Sequence, residues 1–175
     1  MTIPLFPDDT GAILSPCGLY RYRLWRSWGP GQRMAWGLLN PSKADAEIDD
    51  PTVYKLIAFT KRFGFDGFTL VNAFGYRLTD SNNLPLLAKR GVDLIGPEND
   101  QHLLEVARAH PLFVCAWGTK GALLGRGEAV RRMLRGAGIP LHYLRLTKDG
   151  HPEHVLYLPG TLRPVSWSDL STVHS

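Results

Sequence analysis

Four short stretches carry side chains with chemistry to offer: Asn40-Pro41-Ser42, Asn72-Ala73-Phe74, Trp117-Gly118-Thr119-Lys120, and the polar loop from 151 to 154 that ends in His154. An asparagine presents both an amide donor and a carbonyl acceptor, so Asn40 and Asn72 can read a nucleobase edge or hold a water. Phe74 and Trp117 can stack on a base. Arg77, Lys120, Arg126 and Lys148 can meet phosphates, and His154 can donate to a developing anion. Behind the first stretch stand Asp45, Asp49 and Asp50, carboxylates able to hold Mg²⁺ for phosphoryl chemistry. The plainer reading, which we favour, makes Asp50 a helix cap and leaves Asp45 and Glu47 as solvated loop charges. There is no Ser-His-Asp order, no nucleophile elbow, no GxxxxGK(S/T) loop and no GxGxxG fingerprint. Triphosphate hydrolysis and dinucleotide redox therefore find little support.

These stretches need elements to position them. Met34 to Leu39 is an apolar run that reads as a buried strand, and it stops at the Asn-Pro-Ser turn. A helix over 51–63 follows, with Asp50 as N-cap, Pro51 at the first position and Gly64 as the stop. A second β-branched and aromatic run, 68–74, ends near Asn72. Residues 81–90 hold at most a short helix, and 97–110 reads as a longer one. A third strand over 112–117 stops at Gly118. Residues 126–136 form a basic helix with Arg126, Arg131, Arg132 and Arg135, either a solvated face or a phosphate contact. A fourth strand is expected over 139–146. Leu156-Tyr157-Leu158 then docks the tail, with Tyr157 a further polar candidate.

Before these elements, Ala12 to Leu14 and Leu19 to Trp25 read as a short hairpin. Its second strand alternates aromatic residues with Arg21 and Arg23, so one face packs and the other is basic. A solvated edge that discourages strand pairing is the favoured reading of those arginines.

Strands alternating with helices imply a three-layer α/β/α sandwich with a central four-stranded parallel sheet, preceded by the N-terminal β-hairpin. In such a sheet every strand-to-helix loop lies at one edge, where ligands bind. The 175 residues suit one domain, with 1–11 and 165–175 as loosely held ends. The net charge of +4 is compatible with a nucleic-acid or nucleotide partner without requiring one. Cys17 and Cys115 match no metal-ligand spacing, so no zinc site, iron–sulfur cluster or other cofactor is expected. No apolar run approaches the roughly 20 residues that span a bilayer. The start carries no basic n-region, so no membrane partner is expected and a cytoplasmic location follows by default. The oligomeric state stays open.

The chain resembles a family of bacterial and phage proteins defined only as a domain of unknown function. The matching stretches are Tyr20-Arg21-Tyr22, Leu39-Asn40-Pro41-Ser42, Asp49-Asp50-Pro51-Thr52, Val71-Asn72-Ala73-Phe74, Ala116-Trp117-Gly118, and His154 with Leu156-Tyr157-Leu158. More loosely, Asn40-Pro41, Leu70-Val71-Asn72-Ala73, Trp117-Gly118 and His154 resemble the uracil-DNA glycosylase superfamily. The first loop has one residue more between Gly37 and Asn40 than that superfamily's motif, and the late loop reads His154-Val155-Leu156 in place of His-Pro-Ser. This resemblance implies a four-stranded parallel α/β/α fold and hydrolysis of a base–sugar bond in DNA or a nucleotide. It further implies that Asn40 positions water, Asn72 reads the base, and His154 donates to the base oxygen. Pro41, Ser42, Phe74, Trp117 and Gly118 would complete the base pocket. The alternatives are a nucleobase- or DNA-binding module of the same fold and a metal-dependent phosphoesterase.

Overall fold

The computed structural model describes residues 8–42 and 44–168. It is an α/β protein built on one mixed seven-stranded sheet of order β1-β2-β4-β3-β5-β6-β7. β3 (Arg33–Leu38), β4 (Gly67–Asn72) and β5 (Phe113–Cys115) are almost wholly buried, and they pair in parallel. Burial on both faces is what their unbroken apolar runs demand. β6 (His142–Tyr143) adds in parallel through Val114↔His142. Antiparallel strands flank this group. The hairpin of β1 (Asp9–Leu14) and β2 (Arg21–Ser27) joins β4 on one side, and β7 (Val165–Ser166) joins β6 on the other.

The expectation of a parallel sheet with a separate hairpin is corrected here: the hairpin is part of the sheet, and the sheet is mixed. The expected fourth strand over 139–146 shrinks to two residues. Pro140 has no N–H to give a ladder, which limits pairing at its start. The tail expected to be loose from 165 is instead tied in through 167, because β7 pairs with β6 and Trp167 is 8% exposed against the core. Residues 1–7 and 169–175 lie outside the described residues.

Helices cover both faces. α1 (Pro51–Arg62) packs Val53, Leu56 and Phe59 against Met34, Trp36, Leu38, Phe68 and Leu70. Asp50 caps it by accepting from Val53 N at 2.9 Å. On the opposite face α3 (Asn99–Ala109) and α4 (Arg126–Gly136) pack Leu103, Val106, Val130 and Leu134 against Ala35, Val71, Phe113 and Cys115. A short α2 (Leu84–Lys89) lies between β4 and α3. The assignment to the two cores follows the period-two alternation of β3, β4 and β5. Among the described residues, no helix is long and apolar enough to cross a membrane.

The strand order places the outlet of the sheet. The connection after β3 runs to β4 on one side, whereas the connection after β4 returns across β3 to β5 on the other. The carboxyl ends of β3 and β5 therefore bound a topological switch point, where the loops diverge and leave a crevice.

Candidate functional site

A cleft of about 530 Å³ opens at that edge. Asn40, Ser42, Asp50, Asn72, Trp117, Gly118, Lys120, His154 and Tyr157 all line it, so the four chemical loops of the sequence meet. Arg21, Thr79, Ser81, Thr147 and Glu153 join them.

Asn72 is the last residue of β4 and 1% exposed, yet neither its Nδ2 nor its Oδ1 has a hydrogen-bond partner. A buried amide with both ends unmet costs about 1–3 kcal/mol per group. Its backbone, by contrast, is fixed. Asn99 Nδ2 donates to the carbonyls of Asn72 and Ala73 at 2.8 and 3.2 Å, and Arg126 Nε donates to Ala73 O at 2.7 Å. Two helix starts thus clamp the strand end and leave the Asn72 side chain uncommitted.

Asn40 is engaged differently. Its Nδ2 donates to Pro41 O at 2.9 Å and Leu78 O at 2.8 Å. The amide hydrogens are used, and Oδ1 remains as an acceptor for a water or an amino group.

His154 accepts from Leu156 N through Nδ1 at 3.2 Å. Burial pulls its pKa below the ordinary histidine value; the Asp50 carboxylate opposes this and Lys120 adds to it. A neutral ring whose Nδ1 accepts must carry its proton on Nε2, so His154 is a neutral donor. Gly118 lies beside it at φ +72, a conformation that strains a residue with a Cβ.

The other expected residues are placed as follows. Ser42 Oγ donates to Asp50 Oδ2 at 2.6 Å, so both Asp50 oxygens are engaged. Pro41 is buried behind the cleft and Phe74 lies in the core at 0% exposure. Trp117 is 2% exposed. A Cβ on Gly121 or Gly127 would come within 2.2 or 2.6 Å of its indole, which is how closely those glycines seat the ring. Lys120 is exposed at the rim and donates to Ser81 Oγ at 2.7 Å. Tyr157, at 84% exposure, stands at the mouth. Arg77 is exposed and donates to Gly18 O, and Lys148 is exposed beside Thr147. Arg126 is 5% exposed and also pairs with Asp100, a structural clamp where the basic helix suggested a solvent-facing or phosphate-facing charge. Asp45 Oδ1 accepts from Glu47 N and Ile48 N, while Asp49 pairs with Arg26 at 2.8 Å. Among the described residues, no three His, Cys, Asp or Glu side chains are grouped to hold a metal ion.

Arg21 is the residue that the alternation misassigns. The expected solvated edge is corrected: β2 is paired on both sides, Arg21 is 3% exposed, and Arg23, partly exposed, pairs with Glu105 on α3. Burial draws the Arg21 guanidinium down to about 10, opposed by Asp50.

No curated protein and no solved structure matches the chain. Residues 21–156 match the family described as "Protein of unknown function (DUF1643)", a span that holds every cleft-lining residue but Tyr157, and the chain belongs to that family.

Proposed function

We propose that the cleft takes a nucleobase and that the protein hydrolyses its N-glycosidic bond, in DNA or in a nucleotide. The observation that carries this reading is the Asn72 amide: buried, clamped through its backbone, and unpaired at both ends. A primary amide offers one donor and one acceptor side by side, the complement of a base edge that presents an acceptor next to a donor. A site built in this way rejects ligands that leave its polar atoms unmet.

The remaining groups are consistent with cleavage. Asn40 Oδ1 accepts a hydrogen from a water that attacks the anomeric carbon. The carbon–nitrogen bond breaks, its electron pair goes to the base, and His154 Nε2–H donates to the oxygen on which that charge collects. The proton lost by the water ends on the departing base, so the products are the free base and a sugar hydroxyl. Taking a base from a strand requires removing it from the stack, and the exposed Tyr157 and Lys120 at the cleft mouth are the residues offered to contact the strand. The resemblance of the four loops to the uracil-DNA glycosylase superfamily supports the same chemistry.

One observation favours a second reading, a module that binds a nucleobase without cleaving it. Both Asp50 oxygens accept, from Ser42 and Val53, and Glu153 is held by Arg145 through Oε2, so neither cleft carboxylate stands uncommitted beside Asn40 as a general base. Base release decides between the two. Oligonucleotides carrying uracil, hypoxanthine or a thymine mismatch are incubated in chelator with wild type and with Asn40→Ala. Abasic sites that form with wild type and fall at least about a hundredfold with the variant support hydrolysis. Release from no substrate, with nucleotides still raising the melting temperature, replaces it with the binding module.

A further inference from the structure

Base recognition leaves Arg21 unused. Its guanidinium lines the cleft at 3% exposure, one terminal nitrogen donates to Ala44 O, and Nε has no partner. No salt bridge satisfies it among the described residues. Asp50, the carboxylate whose field reaches it, spends its oxygens on Val53 and Ser42. Arg26, five residues along the same strand, shows the contrast. It is equally buried but bonds to Asp49 and to the carbonyls of Trp25 and Asp45. A buried, unpaired charge is costly unless something supplies the missing partner.

The backbone is bent to bring Arg21 there. Arg23 reaches His102 and Glu105 on α3, whereas Leu24 packs against the α1 side and Arg26 bonds to the loop ahead of α1. Simple alternation would send Arg21 with Arg23 to the α3 side. Instead Ile13 pairs with Arg23 and Leu14 with Arg21, so Tyr22 is an extra residue, a β-bulge. The phase reverses there. Tyr22 stacks on His102 at 4.8 Å, and Arg21 swings to the α1 side and into the cleft. Bulges beside functional sites re-aim side chains in this way.

We propose that Arg21 holds a phosphoryl oxygen of the ligand, so that the cleft takes a phosphorylated nucleoside unit and not a free base or nucleoside. The planar guanidinium with an uncommitted N–H matches a phosphate oxygen, and Lys120 at the rim supplies a second cation. This assignment rests on the nucleobase reading of the same cleft. The phosphoryl group has two possible sources, a mononucleotide or a nucleic-acid strand.

The test is a binding ladder on the full chain at fixed ionic strength, read by calorimetry and thermal shift. Each common deoxynucleoside monophosphate, and the uracil one, is compared with its nucleoside, with inorganic phosphate and with a single-stranded oligonucleotide. Wild type is expected to bind a monophosphate or the oligonucleotide about tenfold or more above the nucleoside, as one charge-assisted hydrogen bond provides. Arg21→Gln should bring that ratio to within about twofold while nucleoside affinity is kept, and Lys120→Ala should lower it less. Should Arg21→Gln fail to fold, the wild-type ladder and Lys120→Ala carry the decision. An effect confined to the mononucleotide identifies a terminal phosphoryl group, and one shared by the oligonucleotide a strand phosphate; either supports the proposal. Equal binding of nucleoside and monophosphate overturns it and leaves the nucleobase reading intact. Inorganic phosphate that binds through Arg21 while no nucleoside or nucleotide does overturns the nucleobase reading and, with it, the nucleoside part of this proposal. If no probe binds, both fall.

Discussion

Asn99 Nδ2 donates to the carbonyl oxygen of Asn72 at 2.8 Å, across 27 residues of sequence, and so couples the start of α3 to the end of β4. The contact makes Asn99 a positioning residue. Asn99→Ala leaves the Asn72 carbonyl without this donor and should destabilise the fold by about 1–3 kcal/mol. Urea denaturation gives that value. Where the variant stays folded, it should also weaken nucleotide binding, whereas a purely structural role would move stability alone.

Asn72 itself should behave in the opposite sense. Asn72→Leu replaces two buried, unmet polar atoms with methyl groups of similar volume. The expected outcome is unchanged or higher stability, by up to about 2 kcal/mol, with base binding lowered at least tenfold. A variant that loses stability and keeps binding would remove Asn72 from the site.

His154 should titrate below the ordinary histidine value of 6.5 and carry its proton on Nε2. Nitrogen-detected NMR of the imidazole reads both properties at once. The sign for stability follows from the lowered pKa. Well above pH 6.5 the ring is neutral folded and unfolded, and contributes nothing. As pH falls below that value the unfolded chain takes up its proton first, so stability declines until the folded pKa is passed. His102, His110 and His142 are shifted in the same direction, and His154→Gln should therefore reduce the acid-side slope without abolishing it.

Gly121→Ala should strike the Trp117 indole, since a Cβ there would approach to 2.2 Å. A backbone-anchored clash with a buried ring should cost about 1–3 kcal/mol, visible as a lower urea midpoint. Gly136→Ala, with nothing within 4 Å of the added carbon, serves as the matched control and should change stability little.

The convergence of the loops was legible because the core strands end where their apolar runs end. Asn40, Asn72 and Gly118 follow three such runs, and a parallel pairing brings their ends to one edge. The cap at Asp50 was legible for a similar reason, since an aspartate before a proline is a local signal. What escaped depends on distant partners. β7 is two residues long and exists only through its pairing with β6. Arg126 opens a helix that looks solvent-facing, yet its guanidinium turns inward to Ala73 O, 53 positions away. Trp117 ends a strand like a stacking platform, but Gly121 and Gly127 seat its ring in the core. Arg21 was hidden most completely, because the alternation around it is regular and only the pairing with β1 exposes the extra residue.

The bulge at Tyr22 has a consequence for inheritance of the site. What aims Arg21 is chain length between two pairing partners, and no side-chain type encodes it. An insertion of one residue between Ile13 and Leu14 would give Tyr22 a partner, remove the bulge and turn the arginine to the α3 side, bringing the Tyr22 ring to the cleft in its place. Substitutions in this hairpin should thus be tolerated far better than an insertion that fills the bulge, and a relative with such an extra residue in β1 would need another source for its buried cation.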